Sequence, residues 1–177
     1  MSLVAFDAEY TSANPKNAKM VAFAIVPLEG EVIRVSRSKH VVVSQAYVGE
    51  SAKVHGITGK DGISEREALD LLYREVNGQT LIVFGRLDVN YLRRTYGKRL
   101  KANFVDVAFG YLKWVAGRDN VEYVLMREGL NLVNICRKLN ICVGDFVFHD
   151  SLVDAIHTAL LYLKLRSMGT SFKLERL

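Results

Sequence analysis

Proline and cysteine are nearly absent, with two of each among 177 residues. With so little proline, and with no low-complexity linker or internal repeat, nothing divides the sequence, so a single domain over residues 1–177 is expected. The two cysteines, Cys136 and Cys142, form neither a C-x-x-C pair nor a mixed Cys/His zinc pattern. Cys136 falls on the apolar side of a helix expected from about Asn131, which predicts a buried, reduced thiol. The spacing would allow a disulfide to Cys142, but nothing else points to secretion, and none is expected.

Long hydrophobic runs are missing too. No stretch approaches the ~18 apolar residues that cross a bilayer, and the first residues lack a basic segment followed by an apolar one. A cytoplasmic protein with no membrane partner is the expectation. Strong charge of either sign is also lacking: +5 is compatible with a nucleic-acid partner without declaring one. Half the residues are apolar, enough for a substantial core at this length.

What is present begins with strands. The apolar run Leu3 to Phe6 reads as a buried strand over about 3–8, followed by MVAFAIVPL and EVIRVSRSKHVVV, with Leu28-Glu29-Gly30 as the turn of an antiparallel meander. Ser64 with Glu67 three residues on forms a capping box that opens a helix over about 64–77, with Ala68, Leu71, Leu72 and Val76 at helical spacing. LIVF at 81–84 is a short buried strand, and another is expected near 103–106. Asp88 opens a helix anchored by Val89 and Leu92, and further helices are expected near 107–117, 131–139 and 150–167. Three antiparallel strands followed by alternating helices and strands give an α/β fold with a mixed five-stranded sheet flanked by helices.

Acids punctuate this frame. Asp7 and Glu9 end the first strand, point the same way and lie about 6.6 Å apart along it. Two acids facing one way at the carboxyl end of a core strand repel each other unless protons or a cation intervene, and ligands of open α/β sheets bind at that end. In FHDSLVDAIHTALLYLKL, Leu152, Ile156, Ala159, Leu160 and Leu163 form the expected buried stripe. Asp154 lies off it, sharing a face with Asp150 and Thr158. His149 precedes the helix, where a titratable imidazole beside a carboxylate suits a general base. Singly, each has a bland reading, Asp88 as a helix N-cap above all. Together the set reads as a two-metal phosphodiesterase site.

In this order and spacing the motifs resemble the DEDDh 3′–5′ exonucleases, related to the proofreading subunit of bacterial replicative polymerase and carrying a ribonuclease H-like fold. FDAEYTS resembles the first motif, VFGRLDVNYL the second and FHDSLVDA the third, with His149 five positions before Asp154. VHGIT at Val54 to Thr58 resembles a nucleotide-contacting segment, and Asp106 in FVDV a structural aspartate. Departures are Tyr10 where many relatives have threonine, Ser12 for a frequent glycine, and VFGRL for a common histidine-asparagine start.

The resemblance implies the strand order 3-2-1-4-5 and release of nucleoside monophosphates from a single-stranded or frayed 3′ end of DNA or RNA. It implies two divalent ions, Mg²⁺ or Mn²⁺: Asp7 between both, Glu9 and Asp154 on one, Asp88 supporting the other through water. His149 takes the proton of the attacking water. Substrate contacts fall to Tyr10, Thr11, His55, Gly56 and Ile57, with core packing a rival for Tyr10. A polymerase subunit or a second copy are the candidate protein partners. A weakly catalytic nucleic-acid-binding module and an exoribonuclease acting on short RNA are the rival readings. Arg93, Arg94, Lys98, Arg99 and Lys101, interleaved with Tyr91 and Tyr96, read either as a solvated helix end or as a phosphate-contacting edge, which Lys60 and Arg86 could extend. Phe172 and Leu174 could cover the core or a partner.

Overall fold

Alternation along strand β1 (Leu3–Tyr10) divides the interior into two cores. Val4, Phe6, Ala8 and Tyr10 face one apolar cluster, while Ala5 faces another on the opposite side of the sheet. The computed structural model describes residues 2–12, 14, 16–44, 52–57, 62–118, 120–141 and 149–177. Cys142, Lys60 and Thr58 lie outside them.

After β1 come β2 (Met20–Glu29), β3 (Val32–Ile33), β4 (Lys39–Val42), α1 (Ala52–His55), α2 (Glu65–Val76), β5 (Thr80–Val83) and α3 (Leu87–Tyr96). The chain continues with β6 (Asn103–Asp106), α4 (Val107–Ala116), α5 (Val121–Glu128), α6 (Leu132–Lys138), α7 (Ser151–Ser167) and β7 (Glu175–Arg176). The sheet order is β3-β2-β1-β5-β6-β7, with β4 also beside β2. β1 and β2 are antiparallel from Leu3↔Leu28 to Glu9↔Ala22, whereas β5 runs parallel to β1 and β6 parallel to β5. The expected order 3-2-1-4-5 is therefore present, with two differences.

The third expected strand is broken. Glu29 accepts from both Arg34 and Arg37, which draws Val35–Arg37 into a 3-10 turn between β3 and β4. The β-branched run there gives no hint of it. The second difference is β7, which adds an antiparallel strand to β6 through Phe104↔Glu175. Two residues carry no readable period. The hairpin turn falls where expected, with Gly30 at φ +62°, a left-handed value that glycine adopts without strain.

α2 is capped as its sequence requires: the Ser64 hydroxyl accepts from Glu67 N, and the Glu67 carboxylate accepts from Ser64 N. Ala68, Leu72 and Val76 are buried below it. α5 is an additional helix, N-capped by Asn120. Cys136 is a free, buried thiol on α6.

The stripe expected on α7 needs correction. Its buried positions are Ser151, Ala155, His157, Thr158, Ala159, Leu161, Tyr162 and Leu165, so Ala159 lies inside as expected, while Leu152, Ile156, Leu160 and Leu163 are half-buried along its flanks. Small residues on the helix meet Ala5 and Ala24 within the same cluster, which lets α7 approach the sheet closely. The larger side chains then fill the wedges on either side. Phe172 packs on Tyr162, with ring centroids 4.9 Å apart, and Leu174 is exposed. Among the described residues no helix is long and apolar enough to cross a membrane.

Replacing Ser64 by alanine removes one half of the capping box. The expected loss is about 1 kcal/mol, or roughly 2–4 °C in Tm, read by thermal unfolding.

Candidate active site

Three chain segments converge at the carboxyl end of β1. The strand's period of two places Asp7 and Glu9 on the face shared with Ala5, and the register shifts just beyond, between Glu9 and Tyr10. Asp88 enters on the first turn of α3. Arg86 occupies the N-cap position of that helix without a side-chain bond, so Asp88 is not the cap that its local sequence allows. Asp154 enters on the first turn of α7, whose N-cap Asp150 accepts from Leu152 N and Val153 N.

The geometry is close. Ligand atoms of Glu9, His149 and Asp154 all lie within 4.8 Å of one another. The backbone N–H of His149 donates to Asp154 Oδ2 at 3.3 Å, so the residue expected as a base is latched to the last acid. His149 sits at φ +71°, a costly left-handed conformation for a side chain of its size, and is exposed. Asp154 Oδ1 is buried with no hydrogen-bond partner among the described residues. Asp88 is 5% exposed, and its Oδ1 accepts from the Tyr10 hydroxyl at 2.7 Å.

Electrostatics follow from this crowding. Burial, then the charges of Asp88, Asp154 and Glu9, push Asp7 well above the usual carboxylate range. Burial together with Asp154, Asp88 and Asp150 pushes Glu9 up to about 7. Asp88 is raised by burial, against the Tyr10 bond that favours its ionised form. Asp154 is raised by burial, partly offset by the His149 N–H and ring. Among the described residues no lysine or arginine figures in any of these shifts. Hard oxygen donors with an unpaired buried oxygen and no internal cation fit Mg²⁺ or Mn²⁺.

The substrate candidates divide. His55 ends α1 with Nδ1 accepting from Ile57 N at 3.1 Å, while its buried Nε2 has no partner among the described residues. Burial and the neighbouring His149 lower its pKa, so the two imidazoles share one side of the site. Gly56 turns the chain at φ +71°. The Thr11 hydroxyl accepts from Lys19 N at 3.1 Å and helps close the β1–β2 connection. Tyr10 is a correction: it is 7% exposed, its ring lies 4.9 Å from that of Tyr91, and its hydroxyl serves Asp88. It fills the core and orients an acid rather than stacking on a base. No local signal could reveal that bond, which spans 78 residues.

Asp106 is structural, as expected. It caps α4 through Ala108 N and Phe109 N and also accepts from Gly85 N. Within the 93–101 cluster, Arg94 donates to Ala18 O and Arg93 to Arg176 O, while Lys98, Arg99 and Lys101 are exposed.

The raised acids set a pH dependence. Their protonated forms are favoured by the fold, so this contribution is fully present below the ordinary carboxylate range and is lost as pH rises through about 7 for Glu9. In EDTA, Tm is expected to fall between pH 5 and pH 8, and Mn²⁺ to restore it at pH 8. Glu9→Gln should flatten that fall, raising metal-free stability at pH 8 by about 1–3 kcal/mol. An unchanged profile in the variant would exclude Glu9 as a source.

The family profile described as Exonuclease (RNase_T) matches residues 4–162. No curated protein matches the chain. Among solved structures it is similar to the nuclease domain of 3′hExo, a DEDDh family member, bound to rAMP: TM-score 0.73, 15% identity, 99% of this chain and 97% of that one. It is also similar to exonuclease X with 5′ overhanging duplex DNA: TM-score 0.69, 13% identity, 96% and 94% covered. A third is zinc-bound E. coli exonuclease I with single-stranded DNA: TM-score 0.71, 12% identity, 94% of this chain. The chain spans 40% of that protein's length and 66% of cell-death related nuclease 4. The described fold is thus a ribonuclease H-like one shared with these exonuclease structures, and the profile match over most of its length makes this chain a member of the RNase_T exonuclease family.

Proposed function

We propose that the chain is a divalent-metal-dependent 3′–5′ exonuclease that releases nucleoside 5′-monophosphates from DNA or RNA. The observation that carries this is the meeting of Asp7, Glu9, Asp88 and Asp154 at one sheet end, with no lysine or arginine among the described residues to offset their charge and with His149 beside them. These four acids would hold two ions, which when bound supply positive charge for the attacking and leaving oxygens of an in-line displacement.

The chain's own residues do the rest. Water attacks phosphorus, the bond from phosphorus to the 3′-oxygen of the penultimate nucleotide breaks, and that oxygen ends protonated. His149 takes the proton of the attacking water. His149 is exposed while its backbone stays tied to Asp154. Tyr10 fixes the rotamer of Asp88, so this acid is oriented before any ligand arrives. His55 neighbours His149, and this reading assigns His55, Gly56 and Ile57, together with Thr11, to contacts with the terminal nucleotide. The substrate assigned by this reading is a single-stranded or frayed 3′ end.

Gel-resolved digestion of 3′- and 5′-labelled single-stranded DNA and RNA, with Mg²⁺, Mn²⁺ or EDTA, tests the reading. A metal-dependent ladder from the 3′ end is expected, abolished by Asp7→Ala; binding of either polymer without cleavage would instead support a non-catalytic module. His149→Ala is expected to lower turnover by about 10²–10⁴-fold while Mn²⁺ still binds in a calorimetric titration. Tyr10→Phe, which keeps the ring packing and deletes the hydroxyl, should weaken Mn²⁺ binding about tenfold or more. Unchanged affinity would exclude it from orienting Asp88.

A further inference from the structure

Arg86, we infer, is a positioning residue for Asp88, held in place by Glu175 of β7; this rests on the exonuclease reading above. Arg86 stands two residues before Asp88, in the turn that carries the acid from β5 into α3. That turn is tied to β6 and β7. Gly85, at φ +83°, donates its N–H to Asp106 Oδ1 at 3.0 Å. Arg86 Nε lies 3.4 Å from Asp106 Oδ2. The two terminal nitrogens of Arg86 donate to the two oxygens of Glu175, at 2.7 and 3.3 Å.

The supports are themselves immobilised. Asp106 is nearly buried and is committed to capping α4. Phe104, fully buried on β6, lies under the Arg86 guanidinium at 4.9 Å and is paired in register with Glu175. An ion pair as exposed as this one adds little by charge alone. Its value is geometric: a planar fork gripped at two oxygens, seated on a ring, has one orientation. The Arg86 guanidinium is engaged by Glu175 and Asp106. Tyr10 sets the Asp88 carboxylate, and the Arg86 anchor sets the backbone from which it projects.

The test is a Mn²⁺ calorimetric titration with kcat and KM on a 3′-labelled oligonucleotide, for wild type, Glu175→Gln, Arg86→Met and the double variant. Arg93→Met is the control. It removes the second guanidinium over Phe104 and the bond to Arg176 O, loosening β7 without touching the Asp88 turn. Glu175→Gln and Arg86→Met are each expected to weaken Mn²⁺ binding and lower kcat about tenfold or more, with KM little changed. The double variant should be no worse than Arg86→Met, because the two act as one unit. Arg93→Met should lower Tm, with a clearly smaller loss of Mn²⁺ affinity and kcat than either single variant. Wild-type Mn²⁺ affinity and kcat in both single variants would overturn the inference, as would additive losses or an equal loss in Arg93→Met. A wild type that neither binds Mn²⁺ nor cleaves overturns the exonuclease reading, and the positioning role with it.

Discussion

Mutual repulsion among four carboxylates is the constraint around which this molecule is arranged. Each acid is partly or wholly withdrawn from water, and each raises the cost of ionising its neighbours. A fold tolerates such a cluster only if the backbone beneath it is fixed by other means. Here the means are a central strand paired on both sides and two helices whose first turns meet at its end. The stability of the two cores is what holds the acids together against their charge.

The two helices deliver their acids by different devices. α7 approaches the sheet through alanine, serine and threonine, so its first turn sits low over β1 and Asp154 reaches Glu9. α3 packs through Val89, Tyr91, Leu92 and Tyr96 on the other core, which also holds Tyr10. Because β1 alternates, one strand sends Asp7 and Glu9 toward α7 and Tyr10 toward α3. A tyrosine in the core thereby supports an acid of the site.

Much of this was legible in the residues themselves. Period-two alternation sufficed to put Asp7 and Glu9 on one face, and Ser64 with Glu67 announced α2 to within a residue. The order of the acids along the chain pointed to a common site because a resemblance supplied the topology. What local reading missed depends on distance or brevity. The Tyr10–Asp88 bond joins residues far apart in the chain, β7 is two residues long, and the Glu29 ion pairs break a run that looks uniformly extended. On α7 Leu152, Leu160 and Leu163 mark the flanks, while small side chains such as Ser151, Ala155 and Ala159 lie among the buried positions that let the helix come close to the sheet.

The short strand β7 also bears on what this protein avoids. Without it, β6 would present its free N–H and C=O groups along an outer margin, which is the template on which a second chain adds itself. Pairing at Asn103 and Phe104 occupies the near half of that margin, and Asp106 at the far end is turned into a helix cap. Two residues of backbone therefore act as a selvedge, keeping the sheet from growing into its neighbours at high concentration.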